Sequence, residues 1–359
     1  MRVLVTGHKG YIGTVLIPML LDAEHEVTGL DNGLFEDCIF GQQPLNIAEL
    51  RCDVRDLTPT EMDDDYDAVI HLAALSNDPL GDLNPQWTYD INYLASVRLA
   101  QLAKQVGIPR FLFASSCSLY GLTDGNDILT EDAPVNPITL YGKSKVRVEQ
   151  DVTKLADSKF SPTFLRNATA YGFSPRLRAD VVVNNLTGVA FTAGEVLLKS
   201  DGTPWRPLVH VEDIGRAFLS VLNAPRELVH NQAFNVGSSR ENYQVREIAD
   251  MVREVVPNSR IRFAEGAGPD PRCYRVDCSK IASTLHDFRP QWTVRRGIEQ
   301  LYAVFQKYGI TATEFESDRY TRVKHLRKLI DQGLLDESLR WRDPAARSSS
   351  GSTSAPAAR

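Results

Sequence analysis

Cysteine is scarce in this sequence and is never arranged to do chemistry. The five thiols (Cys38, Cys52, Cys117, Cys273, Cys278) are scattered without a C-x-x-C pair, so neither a zinc centre nor a dithiol redox site is expected and no metal is assigned. Positive charge is not in excess. There are 40 Lys and Arg against 46 Asp and Glu, a net charge of −6, which argues against a surface built for nucleic acid or an anionic membrane. No apolar run is long enough to cross a bilayer, and core-like residues begin at the second or third position, where a signal peptide would have to stand. Reduced thiols and a cytoplasmic location are the expectation. What the chain does have is 359 residues, 43% of them hydrophobic, enough for a sizeable core in one large unit with a subdomain.

The run Val3-Leu4-Val5-Thr6-Gly7-His8-Lys9-Gly10-Tyr11-Ile12-Gly13 reads as a buried strand that turns through glycines into a helix. Gly7 permits a tight turn, Gly10 lets backbone approach a pyrophosphate, and Gly13 lets the helix pack against its strand. The first-turn N–H groups, with Tyr11 and Ile12 among them, then face the phosphates. A second strand over 26–30 ends in Asp31-Asn32, close to the ~20-residue interval at which a carboxylate hydrogen-bonds a ribose. That carboxylate also repels the extra phosphate of NADP, so the cofactor is read as NAD.

Further along, strands and helices alternate. The patterning predicts a helix over 11–21, kinked near Thr14 because Pro18 removes an N–H and its ring clashes, then a loop over 31–46 and a third strand over 49–53. A fourth strand over 68–72 runs off into Leu72-Ala73-Ala74, where a bulky side chain would block a cofactor. A helix over 87–106 carries Ile91, Leu94, Val97, Leu102 and Val106 at helical spacing and stops at Gly107. Next come a strand over 111–114, a surface loop over 124–138, a helix over 141–156 and a strand over 163–166. This cadence implies an α/β, Rossmann-like, doubly wound parallel sheet over residues 1–170, with the ligand site beyond the carboxyl ends of its strands. From 171 to 345 the texture changes. Helices over 180–193 and 243–255, a strand over 196–199 and an amphipathic helix over 319–335 read as a smaller, interleaved α/β substrate subdomain, while elements near 208–237 return to the main sheet. The stretch 346–359 lacks apolar residues and is expected to be disordered.

The strongest chemical signal is Tyr141-x-x-x-Lys145, preceded by Ser115-Ser116 at a strand end. Residues four apart share a helix face, so phenol and ammonium project together. A phenol of ordinary pKa near ~10 must fall by about 3 to serve as a base at neutral pH, or ~4 kcal/mol of differential stabilisation. Lys145 and an oxidised, positively charged nicotinamide ring can together supply it. Ser116 then hydrogen-bonds the substrate oxygen whose proton moves.

Taken in order, T-G-H-K-G-Y-I-G, D-N at 31, D-V at 53, H-L-A-A at 71, Asn92, S-S-C-S-L-Y-G at 115 and Y-G-K-S-K at 141 resemble the extended short-chain dehydrogenase/reductases, in their nucleotide-sugar epimerase and dehydratase branch. The resemblance covers about residues 1–310. It implies that Ser116, Tyr141 and Lys145 are catalytic, that Asp53 and Val54 lie against the adenine, and that Asn92 stands on a helix near the catalytic lysine as part of the cofactor site. It also implies a nucleotide-diphosphate sugar as substrate, met by Asn185, Arg206 and Arg272, whose guanidinium forks suit diphosphate oxygens. Ser76, Cys117 and Ser118 are counted around the sugar with Ser116. Thr169 stands where relatives carry asparagine in L-R-x-x-N-x-Y-G. A homodimer through the helices bearing Asn92 and Tyr141 is implied as well.

Members of this branch oxidise a sugar hydroxyl, and the residues after the serine decide the fate of the resulting ketone. A 4,6-dehydratase carries Asp-Glu there; this chain has Cys117-Ser118, so dehydration is disfavoured. Cys117 also stands one place from the position at which 3,5-epimerases hold a cysteine, and a one-residue shift along an extended chain reverses the side chain; it is not assigned as a base. The expectation is C4 epimerisation through a transient 4-keto sugar. A 4-keto-sugar reductase or decarboxylase is the alternative, and a non-catalytic dinucleotide sensor a more distant one.

Overall fold

Alternate residues of the first strand, Arg2–Thr6, enter different cores. Val3 and Val5 pack with Leu16, Ile17 and Phe218 on one side, and Leu4 packs with Val69, Phe111 and Phe164 on the other. A strand apolar on both faces belongs inside a sheet covered on both faces. The computed structural model describes residues 1–62, 65–76, 83–122, 127–268 and 273–343. Among these, seven parallel strands form the main sheet in the order Gln232–Val236, Ser161–Asn167, Arg110–Ser116, Ala68–His71, Arg2–Thr6, Glu26–Leu30, Ala48–Leu50. The order reverses between Arg2–Thr6 and Ala68–His71, so the crevice at their carboxyl ends is the switch point where ligands bind in such sheets. The α/β, Rossmann-like reading of the sequence holds.

The expected kinked helix is Gly13–Asp22, with Pro18 inside it. The third strand is shorter than expected, Ala48–Leu50, and the chain leaves the sheet before Cys52 and Asp53. The helix expected over 87–106 is composite: Pro85–Trp87, a π-helical stretch Thr88–Leu94 and the regular helix Ala95–Val106, capped by Gly107. Such a widening is invisible to a 3.6-residue periodicity and recurs at functional sites.

Apart from Gln232–Val236, the strands described beyond residue 168 build smaller sheets. Trp205–His210 pairs with Thr169–Tyr171 in parallel and with Asn242–Gln244 antiparallel, so this strand lies outside the main sheet, although the helix after it, Val211–Asn223, packs Ile214, Phe218 and Val221 into the main core. Glu195–Ser200 pairs with Arg260–Gly268. A second core gathers Tyr171, Val183, Leu198, Ile248 and Phe305. The helix expected over 319–335 is Arg322–Asp331, and Leu326 and Leu329, with Leu335 and Leu339 after it, pack onto Leu34, Leu75 and Ile91 at the edge of the crevice. The stretch 346–359 lies outside the described residues.

Candidate active site

The glycine turn is shaped by close backbone approaches. Gly7 has φ +74°, and a Cβ there would stand 2.7 Å from the Ala73 amide, so this glycine lets the ends of two neighbouring strands meet as well as allowing the turn. At Gly13 a Cβ would fall 2.5 Å from the carbonyl oxygens of both Gly7 and His8. What it avoids is the turn itself rather than the sheet the sequence suggested. The amides of Tyr11, Ile12 and Gly13 open the helix and, as first-turn groups, have no intrahelical acceptor. Asp31 closes the far side. Its carboxylate accepts from the Lys9 amide at 3.1 Å and the Gly33 amide at 2.8 Å, which fixes it beside the turn. Asp53 takes three bonds from Arg55 and one from Asn32; burial alone would raise its pKa, and these partners bring it below the ordinary carboxylate value.

A cavity of about 1360 Å³ begins at this turn. Its wall includes Gly7, Gly10, Tyr11, Ile12, Gly13, Asp31, Asn32, Asp53, Val54, Leu72, Ala73, Ala74 and Ser76, then Ser116, Ser118, Tyr141 and Lys145, then Thr169, Asn185 and Arg206. Of the residues expected in the site, two are not brought to it. Asn92 is fully buried and has both ends of its amide engaged, accepting from the Leu75 N–H at 2.8 Å and donating to the Leu75 carbonyl at 2.9 Å; it anchors the strand exit that carries Ala73 and Ala74 and is not part of the cavity wall. Cys117 is fully buried, with its Sγ on the Arg166 carbonyl at 3.0 Å and its thiol pKa pushed well up by burial. The serine on each side of it faces the cavity and the cysteine between them faces the core. Arg272 lies outside the described residues.

The central group is set by sheet and helix together. Ser116 ends its strand in register with Asn167 and caps the next turn, accepting from the Ser118 amide at 3.2 Å. Ser118 Oγ is buried without a protein partner. Tyr141 opens the helix Leu140–Thr153, which Thr139 caps through the Gly142 amide. One turn on, Lys145 is buried. Its Nζ donates to the Ala114 carbonyl at 2.7 Å and lies 4.5 Å from the Phe113 ring centre and 5.4 Å from that of Tyr141. Burial pulls its pKa down to about 7, against which Glu149 acts to raise it. Glu149, missed in the sequence, accepts from Ser115 and holds a buried pair with Arg166 at 2.7 Å. Arg166 continues to the Tyr120 hydroxyl at 3.1 Å, and Tyr120 to Asn235 at 2.7 Å. This network fixes the strand end and the helix relative to each other.

Elsewhere on the wall, Arg206 is buried and donates to the carbonyl of its neighbour Trp205 at 2.8 Å. Asn185 donates to the Ala179 carbonyl at 2.8 Å. Arg178 is a second residue that sequence reasoning overlooked. Its guanidinium grips Asp180 through two 2.9 Å bonds and reaches Ser76 Oγ at 3.1 Å. The R-x-D spacing was visible, but only the fold shows that it is buried. Among the described residues no cluster of His, Cys, Asp and Glu could hold a metal, and no helix is long and apolar enough to cross a membrane.

A doubly wound sheet whose switch point opens on a glycine turn, with serine, tyrosine and lysine on the same cavity, defines an extended short-chain dehydrogenase/reductase. Within that class the chain belongs to the NAD dependent epimerase/dehydratase family, whose model matches residues 3–237. It is 29% identical over 269 residues to a UDP-glucose 4-epimerase of Corynebacterium glutamicum, covering 71% of this chain and 80% of that one. It is 26% identical to UDP-glucuronic acid decarboxylase 1 of Arabidopsis thaliana, over 85% of this chain and 70% of the relative. Among solved structures it resembles MoeE5 in complex with UDP-glucuronic acid and NAD, with a TM-score of 0.74 at 26% identity, covering 86% of this chain and 99% of the other.

Proposed function

We propose that this chain is an NAD-dependent nucleotide-sugar epimerase that inverts C4 through a transient 4-keto sugar. The observation that supports this reading is that Ser116, Tyr141 and Lys145 line the same cavity as the glycine turn, Asp31, Asn185 and Arg206. Gly7 and Gly13, where a side chain would collide with backbone, keep the turn tight, and the helix-opening amides beside it suit a dinucleotide's diphosphate. In this reading the amides of residues 11–13 hold the diphosphate, Asp31 the ribose, and Asp53 and Val54 flank the adenine. Bound NAD supplies the hydride acceptor and, in the return step, the donor. Tyr141 takes the hydroxyl proton from the sugar and later returns it, Ser116 holds the same oxygen, and Lys145 favours the phenolate. A buried thiol and a hydroxyl follow Ser116, so no acid stands there to expel water from the sugar. The similarity to UDP-glucose 4-epimerases and to a UDP-sugar complex supports a UDP-sugar; the decarboxylase relative keeps UDP-glucuronic acid decarboxylation as the second reading.

We assign residues 1–170, with the returning elements near 208–237, to the cofactor and 171–345 mainly to the substrate. A homodimer is part of the same proposal. Tyr89, Leu94 and Leu140 are exposed on the two helices expected to pair, and Arg147 lies over both Tyr89 and Tyr93; light scattering giving a monomer mass at micromolar concentration would remove it. The test of function is incubation with UDP-, GDP-, CDP-, ADP- and dTDP-sugars, with chromatography of products and the nicotinamide absorbance followed together. Epimer formation without added NADH and without net absorbance change is expected; stoichiometric NADH consumption would make the enzyme a reductase, and release of carbon dioxide from a uronic acid a decarboxylase.

A further inference from the structure

Three arginines cluster beyond the glycine turn, and two of them, Arg178 and Arg322, line the cavity. Arg176, Arg178 and Arg322 are all buried. Asp180 pairs with Arg178, but among the described residues neither Arg176 nor Arg322 has a carboxylate within ion-pair distance, and the Nη1 atom of each is buried without a hydrogen-bond acceptor. Burial lowers the pKa of both, that of Arg322 to about 10. Holding a buried cation with no directly paired carboxylate is costly, so Arg322, which lines the cavity, points to an anion that arrives from outside.

Contacts locate where that anion sits. Arg176 donates through Nε to the Lys9 carbonyl, inside the glycine turn, at 3.0 Å. Arg322 donates to the Arg176 carbonyl at 3.0 Å, stacks 4.6 Å over Phe35 and lines the cavity. Both therefore rest against the glycine turn and the residues that follow the second strand. Arg322 belongs to the C-terminal helix Arg322–Asp331, outside the family match at residues 3–237. That segment is tied down over the crevice edge, with His325 bonded to the Leu34 carbonyl at 2.9 Å and Trp341 donating to the Asn32 carbonyl at 2.8 Å.

We propose that the C-terminal helix completes the cofactor site, with Arg322 acting as a binding residue for the dinucleotide's diphosphate. The proposal rests on the NAD reading of the cavity. Its test is the binding of NAD, ADP and adenosine to the full-length protein, by calorimetry or displacement, for the unaltered chain, Arg322→Gln, Arg322→Lys and Trp341→Ala. Arg322→Gln should weaken NAD and ADP by roughly 10- to 100-fold and leave adenosine within about twofold, because only the ligands with a diphosphate lose a charge-assisted bond. Arg322→Lys should recover part of the loss, while Trp341→Ala, which loosens the segment without removing charge, should weaken all three alike. Unchanged ADP binding in Arg322→Gln, or an equal loss for ADP and adenosine, would overturn the proposal. If Arg322→Gln does not fold, the proposal is decided by Arg322→Lys, whose loss must then be larger for ADP than for adenosine. Failure of the unaltered protein to bind NAD or ADP would instead overturn the cofactor reading of the cavity, and this proposal with it.

Discussion

The two ends of the cavity are built from different material. At the cofactor end the wall is mostly backbone: a turn whose glycines avoid collisions at 2.5 and 2.7 Å, helix-opening amides, and small residues at 73 and 74. In the wall proposed for the substrate the groups are side chains, Asn185 and Arg206, carried on a helix and on a strand of a separate sheet. A backbone site depends on where atoms are forbidden, and a side-chain site on where they reach. The first tolerates little change at a few positions, whereas the second can be retuned residue by residue without unmaking the fold.

Six substitutions sharpen or break that contrast. The largest effect belongs to the group both ends share: Tyr141→Phe should cut turnover by roughly 10²- to 10⁴-fold while leaving NAD content intact, and a rate near normal would remove the phenol from the proton path. Gly7→Ala comes next. A left-handed φ and a 2.7 Å backbone contact together should cost about 2–5 kcal/mol, seen as a lower urea midpoint and loss of cofactor, and an unchanged midpoint would mean that the turn can relax. At the other end, Arg206→Ala should leave the midpoint and NAD content as they are and weaken UDP binding by roughly 10- to 100-fold; equal effects on UDP and NAD would erase the division between the two ends.

Smaller effects test the electrostatics. Asp31→Ala should weaken NAD by about tenfold and narrow its advantage over NADP only partly. Lys9, the cation beside it, stays paired with Glu36 at 3.0 Å and Glu49 at 2.8 Å, and Arg51 is held by Glu36 as well; adding Glu36→Gln should narrow it further, and equal affinities in the unaltered enzyme would end the reading. Glu149→Gln should move a pH limb. Glu149 raises the pKa of Lys145, which burial has lowered to about 7. Without the carboxylate Lys145 loses its proton at lower pH, so the alkaline limb of kcat/KM governed by Lys145 should shift downward. A profile unmoved along the pH axis would leave Glu149 a purely structural partner of Arg166.

The same contrast explains how much was legible beforehand. Glycine spacing, the carboxylate at 31 and the Tyr141/Lys145 interval are local signals fixed by turn and helix geometry, and they located the cavity from its glycine turn to its centre. Cys117 shows the boundary of that method: strand alternation argued against it as a base, but only the packing beneath Arg166 shows that it does not touch the cavity at all. Asn92, expected in the cofactor site, sits inside the π-helical stretch Thr88–Leu94 and bonds the backbone of Leu75, 17 residues away, a contact that no local pattern reveals. Glu149, Arg178 and Arg322 acquire their meaning from contacts across sheets and between distant segments. Nothing in the residues around Arg322 distinguishes it from the other basic residues of an amphipathic helix.

The tie between Asn32 and Trp341 also has a consequence in time. A ribosome adding ~5–20 residues per second needs roughly 15 to 60 seconds to pass from Asp31 to Arg322, and the edge strand Gln232–Val236 is translated within that interval. The glycine turn and its first strands can form while the chain is still being made, but the crevice edge closes only when the segment holding Trp341 has left the exit tunnel. An NAD captured early would be loosely held and free to leave. On the proposal that Arg322 holds the diphosphate, firm retention waits until residues 322–341 are clear of the tunnel, and a nascent chain stalled before residue 322 is expected to have a recognisable sheet and a leaking cofactor.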